Sequence, residues 1–264
     1  MNQFTLTSKH KIILFVLMGI GVACLGITFF LEDDYHSRFW SNILINTIFF
    51  TGISLLAFFL YSAHHIAYAG WHTVFKRLWE AMFPFLIPGI GILLILGLGT
   101  YFDFHYLYHW SHEESVANDE ILQGKSSFLN PTVYIIATLV VGGLWIFLSR
   151  RMRSLSLRED KEGTTKFKIH KKMRVYAAIT LPVIGFGSAV CFWLWIMSVD
   201  SHWYSTLYAW YLGASLCVAM FAITLVLLYW FKSLDKSYFA QVTNEHIHDL
   251  GKYLFAFSIS WTYL

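Results

Sequence analysis

Charge is scarce in this sequence. Asp, Glu, Lys and Arg make up 13% of its 264 residues, against about 25% in a typical soluble domain. Hydrophobic residues reach 57%. So little charge cannot coat so much apolar side chain in water, and the solvent implied is a lipid bilayer. Cysteine is also rare. Cys24, Cys191 and Cys217 lie far apart inside apolar runs with no CxxC pair, so they read as small core hydrophobes rather than a disulfide framework or metal site. No CxxCH occurs, so the chain attaches no c-type haem itself.

What is abundant is long apolar runs. A spanning helix needs about 20 apolar residues. Six runs meet or approach this: 12–31, 40–61, 81–101, 132–149, 175–199 and 204–231. A seventh begins near Leu250 and is still apolar at Leu264, too short to cross, so it reads as an incomplete span of a longer chain. None of the six runs contains Asp, Glu, Lys or Arg. Ion-coupled transporters commonly hold an ionisable residue near the midplane, so this absence weighs against a transport site lying wholly within these residues. The first run follows Lys9, His10 and Lys11, as a signal peptide would. It is longer than a usual signal core and ends in Glu32, Asp33 and Asp34 with no small-x-small site, so it reads as a retained span.

The basic residues alternate by loop. Seventeen of the 19 Lys and Arg residues fall at the N-terminus and in the second, fourth and sixth loops. Arg38 and Lys125 are the exceptions, and the third loop instead carries Asp103, Glu113, Glu114, Asp119 and Glu120. The positive-inside rule then puts the N-terminus on the cytoplasmic side. The fourth loop, 150–174, holds ten basic residues. It reads as a solvated connection beside anionic headgroups, not as a nucleic-acid surface. Trp40, Tyr101, Trp203, Tyr204, Tyr229 and Trp230 sit where interfacial aromatic belts are expected. Pro84 and Pro88 are expected to kink the third span.

Three constellations carry chemistry. Thr47, Thr51, Ser54, Tyr61, His65, Tyr68 and His72 follow helical spacing, with Phe58 in the vacant position. If the helix continues past Tyr61, they form one polar face, which in lipid should turn into the bundle. Hydroxyls, phenols and imidazoles pass protons, so the face reads as half of a proton path open to the cytoplasmic side. The same groups also serve interhelical hydrogen bonding. Gly70 stands ready to end the helix before His72. The second constellation is Asp200 and His202 followed by Tyr204, Tyr208 and Tyr211, which either exchange protons at the outer surface or tie down a loop. The third is His105, His109 and His112, whose spacing would align them on a helix. They read as a headgroup or partner surface more than as a metal site. His64 and His65 lack a second histidine at matching depth on another span, as haem b would need.

Three stretches are more specific: 69–72 (AGWH) with 76–82 (KRLWEAM), 197–206 (MSVDSHWYST), and 243–257 (TNEHIHDLGKYLFAF) running into Trp261, Thr262 and Tyr263. Together they resemble the second quinone-binding-type membrane subunit of alternative complex III, a bacterial quinol:cytochrome c oxidoreductase. The resemblance covers most of the chain from the second span onward. It implies a polysulfide-reductase-like (NrfD-like) helix bundle in the bacterial inner membrane. It also implies a longer subunit, of about ten spans. The implied partners are a sister subunit of the same fold, an iron–sulfur protein, c-type cytochromes and a terminal oxidase. Quinol or menaquinol would be oxidised in the sister subunit, with haem c and iron–sulfur clusters held by partners and no cofactor by this chain. Its own part would be proton conduction or a structural role. His72, Asp200, His202, His246, His248 and Asp249 match the motif positions and are carried over as structural or proton-handling residues. A transporter or channel subunit is the competing reading, and an inert scaffold is the third.

Overall fold

The computed structural model describes residues 7–32, 36–163, 167–235, 237 and 239–264. Asp33, Asp34, Lys166 and Lys236, used above to characterise the loops, lie outside the described residues. Among the described residues all regular structure is helical. The α-helices are α1 Ser8–Leu31, α2 Ser37–Ile66, α3 Lys76–Met82, α4 Leu86–Tyr101, α5 Glu113–Ala117, α6 Glu120–Lys125, α7 Pro131–Glu162, α8 Lys168–Trp195, α9 Tyr208–Leu234 and α10 Asn244–Tyr263. Six helical segments are long and apolar enough to cross a membrane, with α3 and α4 forming one of them. They match the six apolar runs in number and order.

Local chemistry sets the boundaries, and most helices outrun their apolar cores. The Glu32 carboxylate accepts from Arg38 N at 2.6 Å and Phe39 N at 3.1 Å, opening α2 with negative charge at its positive end. Asn130 caps α7 by accepting from Val133 N at 2.8 Å, and Pro131 occupies the first turn, where its missing N–H costs nothing. From Ser149 onward α7 has no breaker until Gly163, which takes φ 72, so the helix carries its arginines well past the apolar run. Pro84 interrupts the third span as a 3-10 turn over Phe83–Phe85, whereas Pro88 lies within α4. The sixth span starts at Tyr208, so Tyr204 stands ahead of the helix rather than on its face. The final helix starts at Asn244, before its apolar run, because Thr243 and His246 form a capping box.

The central helix is α2, packed on α4, α8 and α9. Helix α7 packs on α4 and α8, and α10 on α9. The core is aromatic: Trp79, Trp145, Trp195, Tyr61, Tyr108 and Tyr134 are fully enclosed. Their polar atoms tie helices together. Trp195 Nε1 donates to Thr138 Oγ1 at 2.8 Å, Trp79 Nε1 to Thr224 Oγ1 at 3.1 Å, and the Tyr108 hydroxyl to Trp195 O at 2.8 Å. Close approach of α4 and α7 depends on glycine. A Cβ on Gly97 would stand 2.6 Å from the Tyr134 ring, and one on Gly142 would stand 2.7 Å from Ile90. By contrast, α1 has no buried residue.

Contacts between loops sort by end. At one end, Lys76 lies 3.9 Å from Glu159 and 3.8 Å from Asp160, and Arg77 pairs with Asp160. At the other, His202 Nε2 is 2.6 Å from Asp119 Oδ2, and Lys125 reaches Ser201 O. The second loop therefore meets the fourth, and the third meets the fifth, as alternating spans require. The first is the basic end of the bundle and the second the acidic end.

Candidate functional site

The polar face of α2 is turned inward. Thr47, Thr51, Ser54, Tyr61 and His65 are all buried, where lipid-facing hydroxyls and imidazoles would cost free energy. The face does not run on as spacing suggested. Helix α2 ends at Ile66, and Tyr68 leaves it in the left-handed conformation at φ 52. Tyr68 instead packs at the surface under Arg174, whose guanidinium stands 3.7 Å from the ring centroid.

His72 nonetheless joins the site by another route. It lies in the 3-10 turn Trp71–Val74, which folds back over the end of α2. Its ring centroid is 4.9 Å from His64, 5.5 Å from His65 and 6.0 Å from Tyr61, and it stacks on Trp79 at 5.9 Å. The residue is 2% exposed, and neither ring nitrogen has a hydrogen-bond partner. Burial lowers its pKa to about 3, with His64 and His65 adding to the effect, so it is neutral at physiological pH.

The neighbouring histidines have assigned tautomers. His64 Nδ1 lies 2.6 Å from Leu60 O and His65 Nδ1 lies 2.8 Å from Tyr61 O. A carbonyl only accepts, so each Nδ1 carries the proton and each Nε2 keeps its lone pair. Below them sits a carboxylate that the apolar runs stopped one residue short of. Glu80, in α3, is 2% exposed. It accepts from the Arg77 guanidinium and, at 2.6 Å, from the Ser156 hydroxyl of α7. The Tyr61 hydroxyl faces Glu80 and Ser156 without meeting hydrogen-bond geometry to either. Outward, His65 lies 5.9 Å from His170, which stands 3.7 Å from Glu159 at the basic surface.

The inner cluster is separated from the rest of the stripe. Phe58 is fully buried and packs on Phe83 at 5.0 Å. From Ser54 to Tyr61 the helix rises about 10 Å with this ring between them. Ser54 bonds its own helix through Phe50 O at 2.9 Å. Thr51 Oγ1 has no partner and lies against Gly89. The stripe is thus two polar segments, not one.

The acidic-end residues assemble differently from expectation. Asp200 is exposed and does not pair with His202. His202 bonds Asp119, which also caps α6 by accepting from Ile121 N and Leu122 N. The hydrogen bond from His202 holds the Asp119 carboxyl below its usual range. Tyr204 lies beneath Lys125, while Tyr208 stacks on Tyr211 at 6.4 Å. His105, His109 and His112 do not share a helix face. The first is buried with Nε2 3.0 Å from Leu96 O, the second opens a 3-10 turn, and the third faces Asp103 at 3.5 Å. Among the described residues no three His, Cys, Asp or Glu side chains stand in metal-holding geometry.

No family model and no curated protein matches this chain. Of the motif residues at the C-terminal end, His246 caps α10, Asp249 pairs with Lys252 at 3.1 Å and His248 is exposed. None of them reaches the cluster. Tyr253 of the same helix does, stacking on Trp71 at 5.7 Å and lying 6.3 Å from His64. Spacing within α2 could not reveal Glu80, Ser156, His170 or Tyr253, because each comes from another helix. The only sequence signal for Glu80 was a carboxylate at the edge of an apolar run. A separate cavity of about 700 Å³ opens between α1, α2 and α4 near Trp40, Asn42 and Asn46. Both amides are spent on backbone carbonyls at 2.8 Å, and no histidine, carboxylate or cation lines it.

Proposed function

We propose that this chain is a multi-pass membrane subunit of a bacterial quinol:cytochrome c oxidoreductase, similar to the second NrfD-like subunit of alternative complex III. Its own part is proton handling from the cytoplasmic side, where its N-terminus lies. The observation that carries this reading is the buried Tyr61, His65, His72 and Glu80 cluster at the basic end. The motif resemblance supplies the complex. Quinol oxidation releases two protons with two electrons, so a subunit beside the oxidation site needs groups that hold and pass protons. Haem c and iron–sulfur clusters belong to partner subunits in this reading, because this chain has neither a CxxCH nor a cysteine cluster to bind them.

The residues divide the work by chemistry. Glu159 and His170 exchange protons with the basic surface. His65 Nε2 accepts from that side, and His72, with two unpartnered nitrogens, relays between His65 and Tyr61. Centroid separations of 4.4, 5.5 and 6.0 Å among these three rings leave hops that one bridging water or a ring rotation completes. The Tyr61 hydroxyl then passes the proton to Glu80. Phe58 ends the path there, making it a half path.

Gentle purification from native membranes tests the assignment. The chain should co-purify with haem c and iron–sulfur proteins and with quinol-dependent cytochrome c reduction. Recovery as a stand-alone protein with transport activity would replace this reading with the transporter one.

A further inference from the structure

At the basic end the charged residues of α7 fall into two groups, those with partners and those without. Its acids are engaged: Glu159 with Lys76 and His170, Asp160 with Lys76 and Arg77, and Glu162 with Arg158. The same stretch also carries Arg150, Arg153 and Lys161, which have no ion pair or hydrogen bond among the described residues. Arg151 lies over the Phe147 ring at 5.8 Å. Three cations are thus left without counter-charge along one stripe.

That stripe borders a recess with two parts. The membrane-side part, about 210 Å³, is walled by Phe83, Pro84, Ile87 and Ile146 and closed by Arg150 and Arg153. The solvent-side part, about 380 Å³, shares both arginines and continues past Ser154, Leu157 and Arg158, the last paired with Glu162, to Lys161. Ile146 belongs to the apolar run, and Lys161 lies about 22 Å farther along the helix. The two arginines therefore stand where the apolar core gives way to headgroups.

We infer that this recess is a binding site for an anionic phospholipid of the leaflet on the basic side. The phosphate sits between Arg150 and Arg153, which offer planar donor sets to its oxygens. Ser154 and Lys161 receive the rest of the headgroup, and the root of an acyl chain covers Pro84, Ile87 and Ile146. Free phosphate has the charge but no use for the apolar walls, and a zwitterionic lipid carries its own cation into a field that is already positive. Basic pockets between spanning helices are recognised sites for anionic headgroups. Occupancy would also brace the Pro84 break against α7.

The test reconstitutes the purified protein into phosphatidylcholine nanodiscs with and without phosphatidylglycerol. Retained lipid is counted by native mass spectrometry, and thermal midpoints are recorded. Phosphatidylglycerol should be retained and should raise the midpoint. Arg150→Gln and Arg153→Gln should each lower retention about fivefold, at the roughly 1 kcal/mol expected per basic residue. Lys171→Gln with Lys172→Gln removes two positive charges elsewhere, one more than either arginine variant, and should change retention little. Equal loss in that control would reduce the effect to bulk surface charge and overturn the site. A midpoint shift reproduced by inorganic phosphate in detergent would make it a phosphate site and overturn the lipid assignment. Retention of phosphatidylcholine as strong as that of phosphatidylglycerol would also sink it.

Discussion

His72 is buried with both ring nitrogens unpaired, so protonating it places an uncompensated charge between two other histidines. Its folded-state pKa of about 3 lies below the ordinary imidazole value of 6.5. Between these values the unfolded chain binds more protons, so stability rises with pH and is fully regained above about pH 7. Near pH 5 the cost is about 2 kcal/mol. Thermal unfolding in detergent should show a midpoint falling from pH 7 to 5, and His72→Phe should weaken that dependence. Glu80 is the opposite case, a buried charge with two partners. Glu80→Gln leaves Arg77 with only Asp160 as counter-charge and should cost about 3 kcal/mol. A chemical-denaturation midpoint unchanged in that variant would mean the carboxylate is not held as described.

At the scale of the element, the bundle depends on how closely α4 and α7 approach. Gly97 faces the Tyr134 ring with no room for a Cβ. Gly97→Val should destabilise by about 1–3 kcal/mol through overpacking. The same change at Gly143, where a Cβ meets nothing within 4 Å, should cost far less. Comparing the two thermal midpoints separates close packing from general loss of glycine. Element ends were only partly legible. The start of α7 lies one residue from the start of its apolar run, but its end at Glu162 falls thirteen residues inside the stretch read as a connecting loop, because no breaker precedes Gly163. The start of α10 was missed because a Thr–His capping box extends the helix ahead of its apolar residues.

For the whole molecule, the proposed half path predicts selective loss of proton transfer. In the intact complex, Tyr61→Phe and His65→Phe should slow proton uptake or release several-fold while subunit assembly and haem content stay normal. Normal quinol oxidation together with normal proton release in both variants would leave the cluster with a structural role. Phe58 sharpens the comparison. Ser54→Ala lies beyond that ring and should leave proton transfer unchanged, since its hydroxyl bonds only its own helix.

Composition, run length and charge alternation by themselves determined a polytopic helical bundle with six spans. Those properties follow from solvent: lipid demands long uncharged helices, whatever packs beside them. Periodicity likewise identified the inward polar face from Thr47 to His65. Past Ile66 it failed, because a left-handed Tyr68 and a 3-10 turn follow no helical spacing. Tertiary structure alone brought His72 back over His65 and set Glu80 and Ser156 beside Tyr61. It also exchanged Asp200 for Asp119 as the partner of His202. Each of these pairs joins residues on different elements, and their meeting depends on how the helices pack rather than on any pattern within one of them.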